Sequence, residues 1–134
     1  MGRYLLDTHV FLKLAKARPL SPAAQEALSN ADSEVFLSVV TVAEACIKAE
    51  LGKLTLPPEI EPDPAGGFRA ACRASDVQML PIEVEHAARL RILPRHHRDP
   101  FDRLLIAQAI EEGLVLVSAD RQFSQYEGLA LLRP

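Results

Sequence analysis

Leu114-Val115-Leu116-Val117-Ser118-Ala119-Asp120 is an unbroken apolar run that stops at a small polar turn and an acid. Neither face of such a segment offers a polar side chain to water, which is the pattern of a short strand buried on both sides. Strands of that kind occur in parallel sheets, where helical crossovers cover both faces. Tyr4-Leu5-Leu6, running into Asp7, and Val35-Phe36-Leu37 repeat the pattern. Residues 77–82 and 129–132 are weaker strand candidates. Helical periodicity fills the intervals at 9–16, 23–31, 42–51, 68–75, 84–92 and 101–112. Strand and helix thus alternate, which predicts an α/β chain with a central parallel sheet of about five strands, flanked by helices on both faces. Residues 53–67, with Pro57, Pro58, Pro62, Pro64 and the pair Gly66-Gly67, read as a surface connection and not as a domain boundary. One domain over residues 1–134 is the expectation.

Composition removes several classes of function. With 49% apolar and 25% charged residues, the 134-residue chain can build a core without staples. The longest apolar stretches, 36–40 and 104–107, fall far short of a membrane span. The first residues reach an acid at Asp7, too early for a signal-peptide core, so a cytoplasmic location is expected. Cys46 and Cys72 have no paired cysteine spacing and no nearby ligand histidine. They read as reduced, small hydrophobic residues and not as a zinc site. The formal net charge of −3 rules out a global basic field, so any grip on nucleic acid needs a local basic patch or a cation.

The informative residues are acids at junctions. Asp7 and Asp120 follow predicted strands directly, Glu44 lies just beyond another, and Asp99 and Asp102 open the helix that starts near Pro100. Each has a local explanation. Thr41-x-x-Glu44 has the form of a capping box. Asp99 before Pro100 suits an N-cap, with Asp102 in the first turn, and Asp7 and Asp120 suit caps of the elements after them. The set is harder to explain by capping. In a parallel α/β sheet the carboxyl ends of the strands share one edge, and ligands bind in the crevice there. Converging carboxylates repel and raise one another's pKa values unless a cation sits among them. An all-oxygen donor set selects a hard ion such as Mg²⁺ or Mn²⁺. Such clusters serve phosphate-ester cleavage.

Taken together, Leu5-Leu6-Asp7-Thr8-His9, the Ser38…Thr41-x-x-Glu44-x-x-x-Lys48 segment, Gly52-Lys53-Leu54, His97-Arg98-Asp99-Pro100-Phe101-Asp102-Arg103-Leu104-Leu105-Ile106-Ala107-Gln108-Ala109 and Val117-Ser118-Ala119-Asp120 resemble a PIN-domain ribonuclease of the VapC toxin type. The resemblance spans residues 3–134. It implies a PIN fold and a Mg²⁺- or Mn²⁺-dependent endoribonuclease of a toxin–antitoxin pair, with a VapB-like antitoxin as partner, RNA as substrate and a homodimer. Asp7, Glu44, Asp102 and Asp120 match the family's acidic quartet, which holds the metal. Ser118 matches a residue that orients a metal-bound water, and Asp99 is an extra acid whose role the resemblance leaves open. The chain departs from the pattern at Lys13, where tryptophan is frequent, and at His9, where asparagine or serine is.

Basic residues around these acids are RNA-binding candidates: Lys48, Arg95, Arg98, Arg103 and Arg121. Lys48 also stands four residues after Glu44, the spacing of a helix ion pair. His96 and His97 read as solvent-exposed, because adjacent residues rarely aim at one ion. The helix near Val84, with Ala87, Leu90 and Arg91 on one face, suits either core or a dimer surface. Two other functional classes fit the residues less well. A non-catalytic module binding antitoxin or RNA sits poorly with a complete quartet. A hydrolase using Asp7 as nucleophile calls for a second aspartate two residues on, where this chain has His9.

Overall fold

The computed structural model describes residues 2–134. Five strands form one sheet: β1 (Arg3–Leu6), β2 (Glu34–Ser38), β3 (Gln78–Leu80), β4 (Val115–Val117) and β5 (Ala130–Leu132). They lie in the order β3-β2-β1-β4-β5, and every pair is parallel. Six helices connect them: α1 (Thr8–Ala15), α2 (Pro22–Ser29), α3 (Val39–Glu50), α4 (Pro64–Ala74), α5 (Val84–Arg89) and α6 (Pro100–Glu112). The chain steps outward from β1 to β3, then returns to lay β4 on the other side of β1. The strand order therefore reverses between β1 and β4, where an open α/β sheet leaves a crevice at its carboxyl edge. The backbone N–H of Asp7 donates to the carbonyl of Val117, so the ends of these two strands are locked level.

Alternation along the strands divides the core. Leu5 and Leu116 face the cluster under α5 and α6, with Leu105, Ile106 and Phe123. Leu6 and Val117 face the opposite cluster, with Phe11, Leu37, Ile60 and Phe68. Adjacent strand residues point to opposite faces, so two neighbouring leucines serve two cores. Among the described residues no helix is long and apolar enough to cross a membrane. Cys46 and Cys72 are free thiols, Cys72 in the core.

Three elements differ from the sequence reading. Helix α3 begins at Val39, a turn earlier than expected, because the Ser38 hydroxyl accepts the backbone N–H of Val40 and caps it. Glu44 thereby moves into the helix body, and the capping box with Thr41 does not form. Helix α4 begins at Pro64, inside the stretch expected to be an irregular connection. Asp63 caps it by accepting the N–H of Gly66, and Pro64 takes the first helical position, where its missing donor costs nothing. That segment is pinned by buried Leu56 and Ile60, and Gly67 lets it close: a Cβ there would lie 2.6 Å from the Ile60 Cα. Helix α5 buries His86, and of the face expected to be core or a dimer surface Leu90 packs partly on the core while Val84, Ala87 and Arg91 are exposed in the protomer.

Candidate active site

Asp7, Glu44, Asp102 and Asp120 come from four separate segments and line one crevice of about 490 Å³ with His9 and Lys48. Asp7 directly follows β1 and precedes α1, yet its side chain caps nothing. Its carboxylate instead accepts the Ser118 hydroxyl at 2.6 Å, and Ser118 in turn accepts the N–H of Asp120 at 3.1 Å. A buried serine thus joins the acid after β1 to the acid after β4. Burial pushes the Asp7 carboxyl above its ordinary range. The Ser118 bond pulls the other way, and the charge of Glu44 adds to the rise.

Glu44 is 3% exposed and is held on both oxygens. Thr8 donates to Oε1 at 2.6 Å, and Lys48 donates to Oε2 at 2.5 Å. Thr41 Oγ1 lies 3.1 Å from Thr8 Oγ1, so the Thr8 proton goes to Glu44 while its lone pair accepts from Thr41. The pair anticipated from the i, i+4 spacing is present, but Glu44 is buried and not on a solvated face. Lys48 is held more firmly protonated by its bond to Glu44, and the charges of Asp99 and Asp102 act in the same direction.

Asp102 sits in the first turn of α6, where its carboxyl is pushed up to about 6. Burial is the largest cause, followed by the negative charges of Asp99, Asp7 and Glu44, with His97 opposing. Asp99 is the N-cap, accepting the N–H of Phe101 at 2.8 Å, so its local role is that expected of an aspartate before Pro100. Asp120 accepts the N–H of Gln122 through one oxygen and holds the His97 ring through the other.

Two basic-segment readings are corrected by the geometry. Arg103, expected to face RNA, is 9% exposed and points away from the crevice. Its guanidinium donates to the carbonyls of Pro94, Leu90 and Leu93, tying the loop after α5 to α6. Successive helix residues lie about 100° apart, so the neighbour of an inward acid aims elsewhere. Replacing Arg103 with methionine is expected to cost about 2–3 kcal/mol by orphaning loop carbonyls, read as a lower urea midpoint. His97, expected in solvent, is 7% exposed, with Nδ1 on Tyr126 Oη at 2.9 Å and Nε2 on Asp120 at 3.1 Å. Arg95, Arg98 and Arg121 are exposed, and His96 is exposed as expected.

Thr8 and His97 are site residues that spacing and motif gave no role, and Thr41, read as a helix cap, instead bonds Thr8. Thr8 carried a signal, since a hydroxyl beside the first acid can reach a neighbouring carboxylate. His97 carried none that separates it from His96. The donor set fits a hard divalent cation: carboxylates line one crevice, two of them are driven toward the protonated form by burial and mutual repulsion, and among the described residues Lys48 is the one lysine paired with them.

A family model described as the PIN domain matches residues 4–129. Solved structures share the fold along the whole chain. VapBC2 from Rickettsia felis, bound to a DNA fragment from its promoter, is 17% identical with a TM-score of 0.72, covering 98% of each chain. DNA-bound VapBC from Salmonella typhimurium is 20% identical with a TM-score of 0.69, covering 99% of this chain and 98% of its own. VapBC-5 of Mycobacterium tuberculosis, from the VapBC family of toxin–antitoxin systems, is 24% identical with a TM-score of 0.57, covering 99% and 98%. No curated protein matches the sequence.

Proposed function

The chain belongs to the PIN-domain family, and from that premise we propose that it is a VapC-type toxin acting as a metal-dependent endoribonuclease. The observation that carries the reading is the convergence of Asp7, Glu44, Asp102 and Asp120 on one crevice at the strand reversal between β1 and β4. These four residues would hold Mg²⁺ or Mn²⁺, with Asp99 near enough to add its charge to Asp102. Such an ion, when bound, offsets the charge of a phosphodiester and makes a water nucleophilic.

The protein's own contribution is preorganisation. Ser118 fixes the Asp7 carboxylate by donating to Oδ2, and Thr8 fixes Glu44 by donating to Oε1, so neither acid has to find its rotamer when RNA arrives. Lys48 holds the second oxygen of Glu44 and leaves further ammonium protons for a phosphate oxygen. The exposed Arg95, Arg98 and Arg121 supply contacts to the RNA backbone, which locate the strand without reading its sequence. With a net charge of −3 the chain offers a polyanion no global basic field, so local cations must supply the grip.

The acidic crevice also suits a VapB-like antitoxin that inserts a basic side chain among the carboxylates while its apolar helix covers neighbouring surface. A homodimer and a cytoplasmic location complete the proposal. One experiment addresses the whole reading. The chain is expressed alone and with the product of the neighbouring reading frame, and RNA 5′ ends are mapped. Discrete new 5′-phosphate ends, abolished by chelator and by co-expression, are the expected result. A chain that cuts no RNA with Mg²⁺ or Mn²⁺ and captures no such partner would overturn it.

A further inference from the structure

The four acids account for an all-oxygen site, but a buried imidazole stands behind two of them on the β4 side and they do not explain it. His97 Nε2, a carboxylate oxygen of Asp102 and one of Asp120 lie within 4.8 Å of one another. We propose that His97 is a direct metal ligand, forming with Asp102 and Asp120 a nitrogen-containing half of the site that favours a first-row transition ion such as Mn²⁺ over Mg²⁺. The inference rests on the metal-dependent reading above and assigns one of its ligands.

Three features of His97 fit a ligand. The first is rigidity. The ring lies 4.7 Å from Phe123 and 5.5 Å from Tyr126, centroid to centroid, so its direction is set by packing. Asp102 and Asp120 are less buried, and Asp120 would exchange its bond from His97 for the ion while keeping the Gln122 N–H on its other oxygen. Two donors about 2.1 Å from one ion stand at most about 4.2 Å apart, and the His97 and Asp120 atoms, at 3.1 Å, already meet that limit.

The second is the far side of the ring. A ligating histidine needs its lone pair on the metal-facing nitrogen and its proton on the other, with a partner to receive that proton. Tyr126 Oη, 2.9 Å from Nδ1, is that partner. A phenol hydroxyl both donates and accepts, so it serves either tautomer. In the metal-free protein it donates to Nδ1 while Nε2–H donates to Asp120. With an ion at Nε2 it accepts Nδ1–H.

The third is direction. A ring that merely propped Asp120 would face one carboxylate, yet a His97 ring nitrogen also lies within 4.8 Å of a carboxylate oxygen of Asp102. Asp102 therefore stands between two unlike halves. One comprises Asp7 and Glu44, and the other His97 and Asp120. Mg²⁺ holds to oxygen and water, whereas imidazole suits transition ions. A site with one nitrogen discriminates between them.

The test is electron spin-echo spectroscopy of Mn²⁺ bound to the full chain, with affinities for Mn²⁺ and Mg²⁺ measured by calorimetry. His9 also lines the crevice and His96 adjoins His97, so the double variant His9→Gln/His96→Gln serves as the control. The expected result is a ¹⁴N modulation from coordinated imidazole in the wild type and in the control, absent in His97→Gln. His97→Gln should bind Mn²⁺ about tenfold or more weakly, with Mg²⁺ affinity changed less than about threefold. Tyr126→Phe should keep the modulation and weaken Mn²⁺ by about tenfold, as loss of a supporting hydrogen bond does. Bound Mn²⁺ without a nitrogen signal in the wild type, or a signal that survives His97→Gln, would overturn the assignment and leave the ribonuclease reading standing. Failure to bind Mn²⁺ at all would overturn both. If His97→Gln does not fold, loss of the signal in the control decides against the assignment and its persistence decides for it.

Discussion

Asp7→Asn is expected to remove at least about a hundredfold of RNA cleavage while leaving the far-ultraviolet spectrum and cooperative unfolding intact. Asparagine has the shape of aspartate and its Oδ1 can still accept the Ser118 hydroxyl, so the local hydrogen bonding survives. What disappears is one negative charge at the one position that follows β1 without slack, held level with β4 by the bond from its N–H to Val117. No neighbouring acid can move in to replace it, because Glu44 is already held on both oxygens. The same assay ranks the other acids. Asp102→Asn should cost nearly as much as Asp7→Asn. Asp99→Asn should cost clearly less, since asparagine caps α6 as well as aspartate does and the lost charge lies outside the quartet. Ser118→Ala should fall between, roughly tenfold to a hundredfold, because Asp7 keeps its charge and loses only the donor that aims it. A cleavage assay in which Asp99→Asn equals or exceeds Asp102→Asn would show that the acids of α6 have been assigned the wrong way round.

Much of this arrangement was legible in the chain, and the reasons are physical. The buried strands announce themselves because both faces are covered, so Tyr4-Leu5-Leu6 and Val115-Leu116-Val117 tolerate no polar interruption. The acids announce themselves because they break those runs at one edge of the sheet. Local capping choices were less legible. Ser38 and Thr41 can each cap a helix, and only the packed position of Val40 in the core selects Ser38. Residues 64–67 read as irregular because glycines and prolines lower helix propensity, yet Pro64 sits where a helix tolerates it and Gly67 is needed by Ile60. His97 and Arg103 lay beyond local reading altogether. The ring is drawn inward by Phe123 and Tyr126, far along the chain, and the guanidinium by carbonyls of a loop whose path no periodicity encodes.

Metal removal should turn the carboxylate cluster into a measurable instability. Asp102 titrates near 6 in the folded protein against an ordinary value of 3.8, and Asp7 is displaced in the same direction. Between those values the folded state binds more protons than the unfolded chain. The contribution of these groups to stability is therefore lost as pH rises from about 4 through about 6, and it stays lost above that. The difference between wild type and Asp102→Asn isolates the effect of this one carboxyl. In chelator, the variant should gain on the wild type across that window and melt no lower than it at pH 7. A divalent ion reverses the balance, because it binds the folded state and replaces mutual repulsion with attraction. At a hundredfold excess over Kd such linkage stabilises by about 2.7 kcal/mol, which for a domain of this length raises the Tm by roughly 10 °C. Wild type should show that rise in millimolar Mn²⁺ at fixed ionic strength, and Asp7→Asn and Asp102→Asn should lose most of it. If Mn²⁺ leaves the wild-type melt unmoved and Asp102→Asn is destabilised in chelator at pH 7, Asp102 stabilises the first turn of α6 and the four acids do not form a metal site.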